Sequence, residues 1–585
     1  MRHAHTSRTP SKTSLLRPPE HLLARLSRYW RDGGPWGWLN AMAVSVSLLL
    51  MMGLISLLLV GSLGHFWPSR LVEIALLEPM TQTSETSDAD SAAIGNGQHL
   101  LGELMREEVR HVQTASGTSR PRQWWLLQTS SEQSAAASWR WLPKDMLNAL
   151  TFPEQALALE LRDGRVLYGM AQALSDPTTG ELVTTDVSGS GKPLAEDATP
   201  LFVRLDDIES QRRNLAALRS HGEQLSKQLT ALTQQYAARH DSGTVTAEFE
   251  EEINAARQAL ITREQQLMSL RDALTAGQLQ LAGRGGHDGQ IALEEIKRAW
   301  QPNALGFGGR LSLTLNRFAD FISDTPNDGG EGAWPAIFGT VLMVVLMSVI
   351  VMPFGVMAAL YLHEVAHQGR LTQLTRIALR NLAGVPSIVY GVFGLGFFVY
   401  GVGAGIDRLF YADQLPTPTF GTGGILWASL TLSLLTLPVV IVATEEGLAR
   451  VPRRLREGAL ALGATRFETL WRVVLPAASP ALMTGLILAV ARAAGEVAPL
   501  MLVGVVKLAP ELPVDDSFPW LHLDRKFMHL GHQVYDLAFQ SSDAFSNRPL
   551  VYATALVLVV VILCLNLSAI RLRHLLAQRY KGATE

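Results

Sequence analysis

The chain lacks several features that would place it among soluble enzymes or nucleic-acid binders. It has one cysteine, so no intrachain disulfide and no cluster of cysteine metal ligands can form. Charged residues make up only 18% of the sequence, and the formal net charge of -3 excludes binding of nucleic acid through bulk positive charge. No GxxxxGK[ST] phosphate-binding motif occurs. These absences argue against an ATPase and against a disulfide-stapled or thiolate-metal protein.

Long apolar runs are what the sequence has instead. Hydrophobic residues make up 48% of the chain, and six runs are long enough to cross a hydrocarbon core of about 30 Å. The six runs lie at about 38–63, 335–362, 382–404, 424–446, 477–506 and 549–570. The first run is too long for a cleavable signal peptide, so we expect it to remain as an anchor. The sequence therefore predicts an all-α polytopic membrane protein with six transmembrane helices.

The distribution of basic residues predicts the orientation of these helices. Cytoplasmic flanks of membrane helices carry an excess of Lys and Arg. The N-terminal segment and every second loop are rich in Arg, and this is clearest at 363–381, at 447–476 and after 570. The predicted outer loops, 405–423 and 507–548, have more acids than bases. We therefore expect both termini to lie in the cytoplasm, with the chain in the inner membrane.

A polar insertion, 68–333, separates the first and second apolar runs and is expected to face the periplasm. At about 204–275 apolar residues recur every three or four positions on both sides of a short Gly-containing link, which predicts an antiparallel coiled-coil hairpin. The stretches "QWWLLQTS" and "ALALELRDGRVLYG" predict strands, the second with an Asp-Gly turn. The insertion is thus predicted to be an α+β domain. A rigid spacer is favoured for the hairpin over a dedicated partner-binding arm.

The stretch "EGALALGATRFETLWRVVLP", between the fourth and fifth apolar runs, is basic and amphipathic and does not resemble a span. Gly463 allows a sharp bend between two short helices, and Pro476 is predicted to begin the next span, where its missing N–H does no harm. Small residues around Gly463 would let another protein approach closely. The alternative is a linker helix on the membrane surface, attracted to anionic lipids by its arginines.

This stretch closely resembles the EAA loop of ABC importer permeases, with Gly458 and Val473 as the departures from the pattern. "VMPFGVMAALYLHE", "NLAGVPSIVYGVFGLG", "TEEGLARVP" and "ARAAGEVAPLM" are similar, in order and spacing, to the PstA-type permeases of phosphate importers. The resemblance covers about 334–571 and only part of 1–333. It implies that the loop docks into an ATPase subunit. The residues carried over to this contact are Glu457, Ala459, Gly463, Leu475 and Pro476.

The resemblance also implies partners: a PstC-type permease, ATPase subunits and a periplasmic phosphate-binding protein, besides the lipid bilayer. It implies a transporter subunit that is not an enzyme and holds no cofactor. The expected organisation comprises a cytoplasmic tail (1–36), a first transmembrane helix (37–67), the periplasmic insertion (68–333), a permease core with five transmembrane helices (334–571) that contains the EAA loop (444–476), and a cytoplasmic tail (572–585).

Arg492 and Glu496 form the most conspicuous charged pair within an apolar run. They are one helical turn apart, and ionisable groups within a span usually face a bundle interior or a water-filled path. An arginine fork matches phosphate oxygens and stays charged. These residues are therefore predicted to lie on the substrate path; a purely structural ion pair is the alternative. Ser387 and Tyr390 are weaker candidates, for which bonding to backbone is the favoured role.

Two further sets of residues are assigned no ligand. Glu445 and Glu446, beside Arg450, are expected to form a charge cluster at a helix end. The group of His522, His529 and His532 in the last outer loop lacks the close spacing of a metal site, so a solvated loop face is expected and no metal is predicted.

The predicted function is transport of inorganic phosphate. A permease for sulfate or molybdate and a transmembrane sensor with a coiled-coil outer domain remain the alternatives.

Overall fold

Among the residues that the computed structural model describes, six helices are long and apolar enough to cross a membrane, as the sequence predicts. The six segments are Trp38–Phe66, Trp334–Val365, Ser387–Phe410, Ile425–Ala449, Arg466–Gly495 and Arg548–Leu575, and we number them as spans 1 to 6. The structure describes residues 35–76, 99–113, 119–129, 138–144, 147–175, 182–183, 198–241, 247–275, 277–283, 287–324, 332–367, 369–509, 511–515, 518–540 and 548–581. Nearly all of the predicted N-terminal tail lies outside these residues.

The insertion after span 1 begins with antiparallel strands. Span 1 is part of helix α1, Pro35–Phe66, and the strands that follow are β1 (Leu71–Leu76), β2 (His99–Gln113), β3 (Ser119–Thr129), β4 (Ser138–Pro143), β5 (Leu147–Thr151), β6 (Leu157–Leu161), β7 (Val166–Ser175) and β8 (Leu182–Val183). After two helices come β9 (Gln278–Gly283), β10 (His287–Ala292) and β11 (Ile296–Trp300). They form one sheet of order β4-β3-β2-β1-β5 and another of order β10-β9-β7-β6-β11, in which β8 pairs with β7. The predicted strands in "QWWLLQTS" and around the Asp-Gly turn are confirmed.

The two sheets of the insertion are joined by packing and hydrogen bonds. Leu71 and Leu101 of the first sheet share a buried cluster with Tyr168 and Trp300 of the second. The Tyr168 hydroxyl donates to a Glu103 carboxylate oxygen at 2.9 Å. Burial is the main cause that raises the pKa of Tyr168 well above its ordinary value, so this hydroxyl keeps its proton.

Two long helices, α2 (Thr199–Asp241) and α3 (Ala247–Thr275), occupy the predicted hairpin region and pack against each other. The base of α2 is anchored in the second sheet, because Leu201 and Ile208 are buried in the same cluster as Leu279 and Leu293. Further along, the described side chains of both helices are mostly exposed. Coiled-coil packing of this pair stays a prediction.

Span 4 is the central helix of the membrane region. The remaining helices are α4 (Phe307–Ser323), α5 (Trp334–Leu360), α6 (Arg370–Leu382), α7 (Ser387–Phe393), α8 (Ala404–Phe410), α9 (Ile425–Ala449), α10 (Arg453–Ala461), α11 (Arg466–Thr469), α12 (Leu475–Gly495), α13 (Leu500–Val503), α14 (Leu530–Tyr535) and α15 (Arg548–Lys581). Span 4 is α9. In its most apolar stretch 67% of the residues are buried, whereas the share in span 1 is 6%. Small residues allow close packing: Gly355 of α5 lies against Val440, and Gly485 of α12 lies against Ala443.

Span 5 differs most from the sequence prediction. It was expected at 477–506 with Pro476 at its start, but the helix begins at Arg466 and ends at Gly495. A π-helical turn, Leu470–Val474, joins α11 to α12 without a break. The wider turn directly before Pro476 is where the helix accommodates a residue that has no N–H.

Near the C-terminus, α15 continues to Lys581, so most of the expected 572–585 tail is helical.

Candidate functional site

The segment between spans 4 and 5 folds as one short helix, α10, and a glycine bend separates it from the first turn of span 5. Helix α10 ends when the amides of Leu462 and Gly463 donate to carbonyls of α10. Gly463 has φ +89, a conformation that favours glycine because a Cβ would be strained there. The next helix begins with a capping box, in which Thr465 and Glu468 bond each other's backbone N–H. The bend that the sequence placed at Gly463 is therefore present.

The tip of this loop offers an exposed apolar surface. Leu462 is 92% exposed, and the rings of Phe467 and Trp471 are also exposed and stack with centroids 6.3 Å apart. The space around Gly463 is open, with no atom within 4 Å of the position that a Cβ would take. Sequence reasoning identified the small residues and the basic rim but missed these large apolar side chains. Exposed apolar groups of this size are typical of a surface that contacts another protein.

The other residues assigned to the loop contact are arranged around this tip. Glu457 is exposed on α10, whereas Ala459 is only partly exposed. Leu475 and Pro476 are partly buried inside the continuous helix of span 5, about three turns beyond the bend. Leu475 and Pro476 are therefore separated along the helix from the exposed tip at Leu462 and Gly463.

Two arginines tie this region to the ends of spans 2 and 4 in a crossed arrangement. Arg456 of α10 donates to the Leu448 carbonyl at the end of span 4 and pairs with Glu364 at the end of span 2, both at 2.9 Å. Arg376 of α6 does the reverse. It donates to the Leu362 carbonyl of span 2 at 3.0 Å and pairs with Glu445 of span 4 at 3.2 Å.

We call Arg376, Arg456, Glu364 and Glu445 the crossed clamp. Each arginine bonds a terminal carbonyl of one span and a carboxylate of the other, so α6 and α10 are both fixed to the same two span ends. Glu445 was expected in a helix-end charge cluster with Glu446 beside Arg450, and its ion pair is formed with Arg376 of a different helix. Sequence reasoning used Arg376 for orientation alone, and Arg456 for orientation and for attraction to anionic lipids. Two signals for the clamp were available in the sequence. Glu364 ends "LYLHE" and Glu445 is the first Glu of "TEEG", and both follow apolar runs.

The pair of Arg492 and Glu496 is present but is arranged differently from the prediction. Arg492 lies in the last turn of α12, whereas Glu496 follows the helix with extended backbone, φ -83 and ψ 127. Arg492 Nε and Glu496 Oε1 are 3.6 Å apart, close enough for an ion pair but too far for a hydrogen bond. Within the described residues, this buried Nε has no hydrogen-bond partner. The arginine therefore keeps donor capacity beside its carboxylate.

Contacts between helices locate Arg492 near the middle of the membrane region. Span 5 runs antiparallel to span 4, with Gly447 facing Ala481 and Gly485 facing Ala443. Arg492 is two helical turns, about 10 Å, beyond Gly485. This places it level with the centre of Ile425–Ala449. Its side chain is 35% exposed, as expected for a group that borders a cavity or a subunit surface.

Other polar candidates have structural partners. The Tyr390 hydroxyl donates to the Leu382 carbonyl at 2.7 Å, the kind of bond that was favoured for it. His522 pairs with Asp515 at 3.0 Å. The expected solvated histidine face is wrong for His529, which is buried and accepts a hydrogen bond from the Gly531 amide. The segment packs because Met528 and Leu530 share a buried cluster with residues at the starts of spans 2 and 6. No metal-binding group was found in the described part of the chain.

Comparison with known proteins assigns the chain to a protein family. Residues 351–582 match the model of the binding-protein-dependent transport system inner membrane component. The probable ABC transporter permease protein YqgH of Bacillus subtilis is 32% identical over 240 residues, which are 40% of this chain and 73% of that protein. The chain belongs to this permease family.

Among its relatives in this family are proteins named for phosphate transport. The phosphate transport system permease protein PstA 1 of Mycobacterium tuberculosis is 31% identical over 43% of this chain and 74% of that protein. PstC of Xylella fastidiosa is 33% identical over 35% of this chain and 67% of that protein. The permease match begins at residue 351, so the insertion between spans 1 and 2 lies outside it.

Proposed function

We propose that this chain is a membrane subunit of an ABC importer that carries inorganic phosphate across the bacterial inner membrane. The observation that carries the proposal is the similarity to PstA-type phosphate permeases over about three quarters of the relative's length. The exposed tip around Gly463 supports it, because this is a surface of the kind that a partner ATPase would contact. ATP hydrolysis is assigned to that partner.

The proposed orientation places the tip in the cytoplasm. Arg370, Arg376 and Arg380 follow span 2, and a second basic group surrounds α10, so the positive-inside rule assigns both loops to the cytoplasmic side. With six spans, both termini are then cytoplasmic and the insertion faces the periplasm. A periplasmic phosphate-binding protein would deliver substrate on that side, and a PstC-type permease would complete the pathway.

Coupling is assigned to the loop and to the crossed clamp. Glu457, Ala459 and Gly463 would contact the ATPase directly, and Leu475 and Pro476 would carry the displacement into span 5. Arg456, one residue before Glu457, joins the same helix to spans 2 and 4. A displacement of α10 would therefore be transmitted to three spans that pack together in the core.

The substrate path is assigned to Arg492 with Glu496. The guanidinium lies near the centre of the membrane region and has an unused donor beside its carboxylate. A planar fork of charged donors suits a tetrahedral oxyanion, and the nearby carboxylate weakens the attraction enough for release. Their roles as path residues rest on this chemistry.

Co-purification and anion competition test the proposal. We expect the tagged chain to retain its ATPase and a second permease. Cells that depend on it should take up labelled phosphate that excess sulfate or molybdate does not displace. Displacement by either oxyanion would overturn the assignment of phosphate. Failure of the ATPase to co-purify would overturn the role of the loop.

A further inference from the structure

The helix that precedes span 2 has an unusual distribution of charge. Helix α4, Phe307–Ser323, leaves three large apolar side chains exposed on one face, at positions four residues apart. Phe307 is 74% exposed, Leu311 42% and Leu315 57%. A surface helix of a soluble domain normally turns its apolar stripe inward. No exposed residue of α4 carries a charge.

The charged residues of α4 instead face the protein. Arg310 donates to the carbonyls of Leu305 and Pro302. Arg317 pairs with Glu160 at 3.4 Å and lies over the Trp300 ring. The third charged residue, Asp320, pairs with Arg298. The charged groups of α4 thus face the protein, where Leu313 and Phe321 also pack, and its exposed side carries large apolar side chains and no charge.

Contacts fix α4 at the outer ends of two spans. Phe307 at its start lies beside Trp67, the first residue after span 1, with ring centroids 5.9 Å apart. In its middle, Thr314 and Arg317 donate to the Phe66 carbonyl at the end of span 1. Near its end, the Phe321 carbonyl accepts from the Ala333 amide, directly before span 2.

The first, middle and last turns all contact span ends, so α4 lies across these ends instead of projecting away from them. Its apolar face is therefore continuous with the lipid-facing surface of the spans. Trp67 and Trp334 flank the same region, as expected of tryptophans at a membrane interface.

From this juxtaposition we propose that α4 is an interfacial helix whose Phe307, Leu311 and Leu315 face lies in the outer lipid leaflet. The apolar side chains enter the boundary between headgroups and acyl chains, and the inward charges hold the β domain against this anchored helix. The insertion is thereby seated on the bilayer surface at a fixed point. This anchoring does not depend on which solute the permease carries.

Spin-label accessibility tests the proposal on the full chain in liposomes. The only cysteine, Cys564, is first replaced by alanine, and a nitroxide label is then placed by Leu311→Cys or Leu315→Cys. Oxygen concentrates in lipid, whereas a nickel chelate stays in water. We expect both labels to be accessible to oxygen and shielded from nickel, with a depth between those of an acyl-chain label and a headgroup label.

Matched controls define the two extremes. Leu57→Cys labels an exposed leucine of span 1 and should report lipid. Ile261→Cys labels an exposed apolar residue of α3, thirteen residues before the buried Leu274 and thus about 20 Å along the helix from the β domain. Its label should report water and show a severalfold lower ratio of oxygen to nickel accessibility.

Two outcomes would overturn the proposal. Accessibility of the α4 labels to nickel as high as that at position 261 would mean that the face is in water. Shielding from both oxygen and nickel would mean that another protein subunit covers it. Should a cysteine at 311 or 315 prevent folding, Ser312→Cys places the label on the same exposed side with a near-isosteric change, and the same outcomes apply to it.

Discussion

Replacement of Arg456 by leucine would remove half of the crossed clamp while leaving the loop sequence otherwise intact. Leucine and arginine have similar helix propensities, so the intrinsic stability of α10 should not change. What is lost is the connection of α10 to the Leu448 carbonyl and to Glu364. The prediction concerns local opening of α10 and does not depend on transport.

The structure sets the size of the effect. A hydrogen bond to a charged group contributes roughly 1.5–3 kcal/mol. Arg456 makes two such contacts, but its side chain is 22% exposed, so water screens part of both. Glu364 also retains His363 at 3.0 Å after the substitution. Counting the two screened contacts of Arg456 as one full hydrogen bond gives a loss of about 1.5–3 kcal/mol in the free energy of opening α10. Because about 1.4 kcal/mol is tenfold, α10 should open roughly 10- to 150-fold more often.

Hydrogen exchange of the Arg453–Ala461 amides measures this opening directly. The control is Arg454→Leu, which removes an exposed arginine of the same helix and should leave exchange nearly unchanged. Equal acceleration in both variants would show that charge, not the clamp, stabilises α10. Unchanged exchange in Arg456→Leu would refute the clamp as an anchor of the loop.

Three further predictions address other parts of the chain. Arg492→Lys keeps the charge but loses the fork, so phosphate uptake should fall at least about tenfold while the ATPase still co-purifies; normal uptake would exclude Arg492 from the path. Gly463→Ala should destabilise the loop by about 1–2 kcal/mol, because the φ of Gly463 is +89. The control Gly458→Ala, also in open space, should stabilise α10 and slow hydrogen exchange in the same assay. Equal effects of the two substitutions would refute the bend. Burial and the neighbouring His532 lower the pKa of His529 from 6.5 to about 3, so its contribution to stability is full above pH 6.5 and is lost as pH falls toward 3. In His529→Gln the free energy of unfolding should therefore depend less steeply on pH, by about 1.4 kcal/mol per pH unit at most. An unchanged slope would contradict this.

The parts of the fold that follow from local pattern were predictable from the sequence. Apolar length alone identifies the six spans, and the Asp-Gly pair identifies the β6–β7 turn, where Gly164 has φ +86. The bend at Gly463 was predictable too, because a glycine between two helical stretches allows a sharp change of direction. Each of these signals is contained within a short stretch of chain.

Features that depend on contacts between distant segments were not predictable. The true start of span 5 at Arg466 depends on a π turn that no apolar pattern marks. Glu445 has arginines within a few residues, but it pairs with Arg376 of another helix. His529 looks like a loop histidine, yet its segment is buried against the ends of two spans. In each case tertiary packing decides the environment of a residue whose neighbours in sequence suggest another one.

Uptake by purified, reconstituted complex tests the assignment of phosphate most directly. The chain would be assembled in liposomes with its ATPase, its partner permease and the binding protein. ATP would be supplied on the side of the membrane that carries the ATPase. We predict accumulation of labelled phosphate that requires ATP and falls at least about tenfold with Arg492→Lys, while labelled sulfate and molybdate stay at background. Accumulation of sulfate or molybdate in place of phosphate, or phosphate entry that does not require ATP, would contradict it.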